Sequence, residues 1–140
     1  MNIRKNSGFT LMEILVVISI IVILAGLLTP ALSRANRQAK KVECINNLKQ
    51  IGMALNQYAL DNNGSYPANL AALTTTPAND PYLPPGTTLL QCSGDNGAYT
   101  YNGSGQTIGT VNATFNMCQC PATSHPGSTR NILYGDGHVK

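Results

Sequence analysis

The sequence predicts an α+β fold: one long N-terminal helix, hydrophobic in its first half and amphipathic in its second, packed against a small antiparallel sheet with long loops. Three observations carry this. Residues 14–28 hold only Ser19 and Gly26 outside the strongly apolar set. Beyond Pro30, apolar residues recur at spacings of three and four, the period of a one-sided helix. After Gly64 the texture changes to Pro, Gly, Asn, Ser and Thr with short apolar clusters, as in a sheet joined by turns.

The helix comes first. Residues 14–28 would span about 22 Å at the helical rise, short of the ~30 Å hydrocarbon core of a bilayer. Including Phe9 to Met12 completes a span only if Glu13 is tolerated in it. A carboxylate at that depth is expensive and is read as functional. Pro30 removes one helical hydrogen bond, but helix-compatible residues resume at once. Leu32, Ala35, Ala39 and Val42 lead into Cys44, Leu48, Ile51, Leu55, Tyr58 and Ala59. Asn62-Asn63-Gly64, with Pro67 just beyond, is a stop signal. A helix from Phe9 to Asp61 would be about 80 Å long.

The rest of the chain is the head. It is small for a self-sufficient core, so it should lean on the helix stripe. Pro84-Pro85-Gly86, Asn96-Gly97 and Asp136-Gly137 mark turns. Thr107–Val111 and Ile132–Tyr134 are the better strand candidates. The predicted organisation is a leader at 1–8, a spanning half-helix at 9–29, an amphipathic half-helix at 30–61 and a β-rich head at 62–140.

Charge is unevenly placed. The formal net charge is +3. Removing Arg4 and Lys5 with the leader leaves +1: residues 34–49 carry +4, residues 61–140 carry −2, and Glu13 the remaining −1. A basic stem and an acidic head suit packing of one subunit against another. No base-reading motif accompanies the basic cluster at 34–41, so no nucleic-acid partner is predicted. The two histidines, the acids and the thiols form no recognisable triad, and no paired carboxylates stand out. An enzyme is therefore not expected.

The string Gly8-Phe9-Thr10-Leu11-Met12-Glu13, after a short basic leader and before the apolar run, resembles the class III signal of type IV pilins and of the pseudopilins of type II secretion. The resemblance implies that a prepilin peptidase cuts after Gly8 and methylates Phe9. It also implies a homo-oligomeric filament built through the helix, raised by an inner-membrane assembly platform. In that filament Glu13 pairs with a neighbour's N-terminal amine, because a carboxylate in low dielectric needs a partner. Pro30 belongs to the same assembly helix. Before assembly the subunit would sit in the inner membrane, single-pass, with its C-terminus outside; after assembly, in a periplasmic or extracellular filament. Charge alone argues the other way. Arg34, Arg37, Lys40 and Lys41 outnumber Arg4 and Lys5 across the span, which would keep the downstream side in the cytoplasm. The competing reading is a soluble secreted binding domain, released by signal peptidase after Ser33 at the small-x-small triplet Ala31-Leu32-Ser33.

Cys44 through Gly52, with Gly64-Ser65-Tyr66-Pro67, is similar to prepilin-like proteins that carry the H-X9-DG processing-associated domain. The tail His125…Asp136-Gly137-His138 extends the likeness, although ten residues separate His125 from Asp136, one more than the pattern has. The stem motif itself reads as packing, with Gly52 allowing the head's backbone to approach. No cofactor is called for, except that some major pseudopilins hold Ca2+ in a C-terminal loop. Asp95, Asn96 or Asp136 would do so here, and His125, Asp136 and His138 form a further metal candidate, with Cys118 or Cys120 beside them. Four cysteines fit an oxidising compartment and allow three connectivities. Cys118 and Cys120 are too close to pair comfortably with each other. Cys92 with Cys120 is the expected bridge, leaving Cys44 and Cys118 as a second one that would staple head to stem.

Overall fold

The computed structural model describes residues 9–75, 80–121 and 130–140. The fold is α+β, with one long helix, α1 (Leu11–Asp61), and one three-stranded antiparallel sheet. The strands are β1 (Thr100–Tyr101), β2 (Asn116–Gln119) and β3 (Ile132–Tyr134), in the order β1-β2-β3. A four-residue helix, α2 (Ala72–Thr75), and a 3-10 turn at Thr88–Leu90 lie in the connections. The chain divides into two compact units at Asn36 and Arg37.

Helix α1 runs through Pro30 without a break in assignment. Proline has no N–H to offer the preceding turn, and Thr29 just before it turns its hydroxyl back onto the Ala25 carbonyl at 3.0 Å. The helix ends where the sequence signals a stop. Asn63 takes a left-handed conformation (φ 55°) and the Gly64 N–H donates to the Ala59 carbonyl at 2.7 Å. That six-to-one bond, with Asn62 N–H on the Tyr58 carbonyl, satisfies carbonyls a helix end would otherwise leave open.

The two units differ in what their helix faces do. Every side chain from Phe9 to Lys40 is exposed. In the second unit one row of α1 is buried: Cys44, Leu48, Ile51, Leu55 and Ala59. Steps of four, three, four and four keep these side chains on one face. Against them lie Tyr66, Leu70, Leu73, Leu83, Cys92, Tyr99, Met117, Cys118, Cys120 and Leu133, in one continuous core. The expected stripe from Cys44 to Ala59 is thus the core face, with Tyr58 partly buried at its edge. Leu32, Ala35, Ala39 and Val42, placed on the same stripe by spacing, are exposed.

Ile132–Tyr134 is a strand, as its composition suggests. Thr107–Val111 is not. Only Thr107 makes a bridge, to Ser65, and the chain turns immediately after it. The Thr110 hydroxyl accepts from the Thr107 N–H at 3.0 Å and lies 2.9 Å from the Thr107 carbonyl. Threonine that bonds nearby backbone favours a turn over a ladder. The strand that composition misses is β2, Asn-Met-Cys-Gln, the central one. A register irregularity between Asn116 and Cys118 lets Met117 and Cys118 both be buried, so the strand lacks a simple alternation.

The tail closes on itself. Tyr134 N–H donates to the His138 carbonyl, and Ile132 and Lys140 exchange both backbone bonds. The Asp136-Gly137 turn carries Gly137 at φ 87°, a conformation that suits glycine. Asn131, fully buried, donates its side-chain amide to the Lys41 carbonyl at 3.3 Å, tying the start of β3 to α1.

Gly52 of α1 packs tightly against Leu133 of β3. A Cβ built there would stand 3.0 Å from Leu133 Cδ1 and 3.4 Å from Cδ2. Gly52→Leu should therefore overpack this contact and destabilise the chain by about 1–3 kcal/mol. Leu133→Ala, which empties a fully buried site, should cost about 2–5 kcal/mol. Urea unfolding of the detergent-solubilised chain, followed by tyrosine fluorescence, measures both.

Candidate assembly site and the buried cysteine cluster

The N-terminal region is built around Glu13. It lies in the first turn of α1, and its carboxylate is held locally. Thr10 N–H donates to Glu13 Oε2 at 2.8 Å and the Thr10 hydroxyl to the same oxygen at 2.9 Å. In return the Glu13 N–H reaches Thr10 Oγ1 at 3.3 Å. This is the reciprocal capping box, in which Thr and a Glu three residues later satisfy each other's open donors. Negative charge in a first helical turn also meets the positive end of the helix dipole. Thr10 is the partner of Glu13 that the sequence reading does not single out, although its signal, Thr-x-x-Glu ahead of an apolar run, is present.

Around this turn the surface is apolar and unpacked. Phe9 is 80% exposed, and Leu11, Met12, Ile14, Leu15, Val16, Val17 and Ile18 are exposed too. Among the described residues α1 is long and apolar enough to cross a membrane, and none of its apolar window is buried. Pro30 lies inside α1, exposed. Gly8 lies outside the described residues.

In the head, Asp95, Asp136 and His138 of the expected ligand groups are among the described residues. His125 lies outside the described residues. Asp136 Oδ1 contacts His138 Nδ1 at 2.5 Å and accepts from the His138 N–H at 3.1 Å. These bonds to His138 hold the Asp136 carboxyl below its ordinary pKa, because they favour the charged form. The His138 ring stacks on Tyr134 at 4.3 Å. Asp95 Oδ1 accepts from the Gly97 N–H at 2.9 Å. Asp95 and Asp136 thus each serve a local turn. Among the described residues neither belongs to a group of three or more His, Cys, Asp or Glu side chains placed to hold an ion.

The donor atoms that do converge are sulfurs. Cys44, Cys92 and Cys120 have their Sγ atoms within 4.8 Å of one another, and all three residues are fully buried. Cys44 Sγ is 3.1 Å from Cys92 Sγ, and Cys92 Sγ is 3.6 Å from Cys120 Sγ. The Tyr99 hydroxyl meets Cys44 Sγ at 3.3 Å. Three separate segments supply the thiols. Cys44 comes from the buried row of α1, Cys120 from the residue after β2, and Cys92 from a loop closed by Asn96. In that loop the Cys92 N–H donates to the Gly97 carbonyl and the Asn96 N–H to the Cys92 carbonyl, both at 2.8 Å. Asn96 sits at φ 57° to make the loop. The structure therefore brings Cys92 and Cys120 together, but adds Cys44 to them and leaves Cys118 out of the group. Cys118 is buried in β2, where burial pushes its thiol up to about 12. The hydrogen bond from the Cys44 side, then burial, pushes the Cys120 thiol far up as well. Tyr99 is raised by its burial first and by Cys44 second.

A capped apolar helix that begins in a Gly-Phe-Thr-Leu-x-Glu string and ends under a small sheet defines a pilin-like protein. The chain belongs to the type II secretion system protein G family. A family model described as "Type II secretion system (T2SS), protein G" matches residues 31–118. One described as "Prokaryotic N-terminal methylation motif" matches residues 3–29. Among curated relatives, the type II secretion system core protein G of Pseudomonas aeruginosa is 42% identical over 81 residues, covering 56% of each chain. That of Escherichia coli is 40% identical over 81 residues, covering 58% of this chain and 54% of its own. The type IV wide pilus major component PilA4 of Thermus thermophilus is 42% identical over 81 residues, covering 54% of this chain and 61% of its own. The matched part thus spans little more than half the length of these relatives. No solved structure matches the chain.

The capping box has a measurable consequence. Thr10→Ala removes both of the hydroxyl's bonds and should loosen the helix start by about 0.5–2 kcal/mol, while Thr10→Ser should retain them. Amide hydrogen exchange at residues 11–14 in detergent micelles should speed up for Thr10→Ala by about 2–30-fold and stay near wild type for Thr10→Ser.

Proposed function

We propose that this chain is a structural subunit of a type II secretion pseudopilus or a type IV pilus-like filament. Residues 1–8 are a leader that prepilin peptidase removes after Gly8, and Phe9 becomes the methylated N-terminus. Residues 9–29 hold the subunit in the inner membrane, with the C-terminus outside, until an assembly platform passes it into the filament. Residues 30–61 support the head at 62–140, which forms the filament's outer surface. The activity is assembly rather than catalysis.

The observation that carries this reading is the fully exposed apolar helix with a single carboxylate in its first turn, inside a matched N-terminal methylation motif. A long apolar surface on a soluble monomer would be a liability. It is instead suited to lipid first and to copies of the same helix afterwards. Moving from one to the other leaves the apolar face satisfied throughout, and it leaves Glu13 as the group that distinguishes the two states. In the filament its charge is met by the N-terminal ammonium of a neighbour, and Pro30 marks the end of the part packed at the filament axis. The relatives support the reading from both sides, since one set is named for a secretion system and another for a pilus.

Two measurements test it. Intact mass of the mature protein should show an N-terminal methyl-Phe9; an N-terminus at Arg34 would instead establish release after Ser33. The second measurement separates charge from capping. Glu13→Gln keeps a side chain that can complete the capping box but removes the charge. It should insert as wild type yet lower subunit affinity by more than about a hundredfold, the scale of an uncompensated buried charge. The yield of sheared filaments reports this, and wild-type yield from Glu13→Gln would refute charge pairing.

A further inference from the structure

We propose that Cys44 and Cys92 form a disulfide that staples α1 to the head, and that Cys120, although in contact, remains a buried thiol. This pairs Cys92 with the nearer of its two sulfur neighbours, not with Cys120 as expected. All three Sγ atoms lie within 4.8 Å of one another, and Cys92 Sγ is 3.1 Å from Cys44 and 3.6 Å from Cys120. The shorter approach is to Cys44. The loop that carries Cys92 is closed by its own backbone bonds to Gly97 and Asn96, which holds the thiol against the helix before any covalent bond exists.

The chemistry balances with an exchangeable disulfide as oxidant. One cysteine thiolate attacks that disulfide and displaces one thiol. The second cysteine then attacks the mixed disulfide and displaces the other. Two electrons and two protons leave the Cys44–Cys92 pair, and the oxidant departs as two thiols. Both cysteines are fully buried, so the reaction takes place while the head closes on the helix or during local opening. Once the core is closed, Cys120 is a poor attacker. Only the thiolate attacks a disulfide, and Cys120 is fully buried, where forming a thiolate is costly. The third thiol therefore does not shuffle the bridge. A soft metal ion held by the three sulfurs would use the same cluster. An oxidising compartment favours the disulfide, and in that respect the inference rests on the proposed export of the head.

The test uses the full chain in detergent. It is reduced and freed of metal with a chelator, then divided between a glutathione redox buffer and a buffer containing equimolar Zn2+. Thiols are blocked with N-ethylmaleimide after denaturation, and the protein is digested without reduction for mass spectrometry. The expected result in glutathione is a Cys44–Cys92 crosslinked peptide, with Cys118 and Cys120 alkylated. Cys120→Ser should retain the bridge and a melting temperature that falls on reduction. Cys44→Ser should have a lower melting temperature that reduction does not change. A Cys92–Cys120 crosslink, four alkylated cysteines, or one tightly held Zn2+ per chain that prevents oxidation would each overturn the proposal. Peptide mapping of the wild type decides the pairing even if Cys44→Ser fails to fold. Material blocked directly in cell envelopes separates the two readings. A bridge formed in glutathione but absent from the envelope would count against export of the head and leave the pairing intact.

Discussion

A head with three strands of two, four and three residues cannot close a core from its sheet alone, so it takes one face of its core from α1. The row Cys44, Leu48, Ile51, Leu55 and Ala59 is that face. Burial of apolar surface is the dominant favourable term in folding, and short strands supply too little of it without a partner face. Most of the head's features follow from this dependence. Gly52 leaves room for the Leu133 side chain, Asn131 bonds back to the Lys41 carbonyl, and Cys92 is carried to Cys44 by a loop shaped to reach it. The same helix, in its first half, offers apolar surface on every side and buries none of it.

That division explains how one element can serve two solvents. A helix that is apolar all round suits lipid or other helices, and a helix with one apolar stripe suits a globular partner. The switch occurs along a single continuous helix, through Pro30 and into the basic segment 34–41. Glu13 then has two tasks at one position. It completes a capping box with Thr10, which satisfies donors at the helix start, and it presents the one carboxylate of the apolar segment. A capped helix start keeps the first turn ordered and holds the Glu13 carboxylate against Thr10.

Much of this was legible in the residues because it is local. Helical periodicity, the Asn-Asn-Gly stop, the Asp-Gly turn and the strand at Ile132–Tyr134 each depend on a few neighbours in sequence. The capping box was legible too, in Thr10 and Glu13, but the rarity of an acid in an apolar run drew attention to one partner only. Thr107–Val111 has strand composition, yet its hydroxyls found nearby backbone first. β2 was hidden for the opposite reason: Asn116 and Gln119 are polar, and the register irregularity breaks the alternation that marks a strand.

The sequence by itself determined the long two-part helix, its one-sided second half, its end and the turn-rich β head. These follow from spacing and from the conformational preferences of single residues, which act over a turn or two of chain. Which thiols meet, that Gly52 faces Leu133, and which backbone groups Asp95 and Asp136 bond were settled only by the tertiary structure. Those facts depend on segments tens of residues apart arriving at one place. Four cysteines are compatible with three pairings in sequence, and only the packing of α1, the Cys92 loop and β2 brings Cys44, Cys92 and Cys120 together.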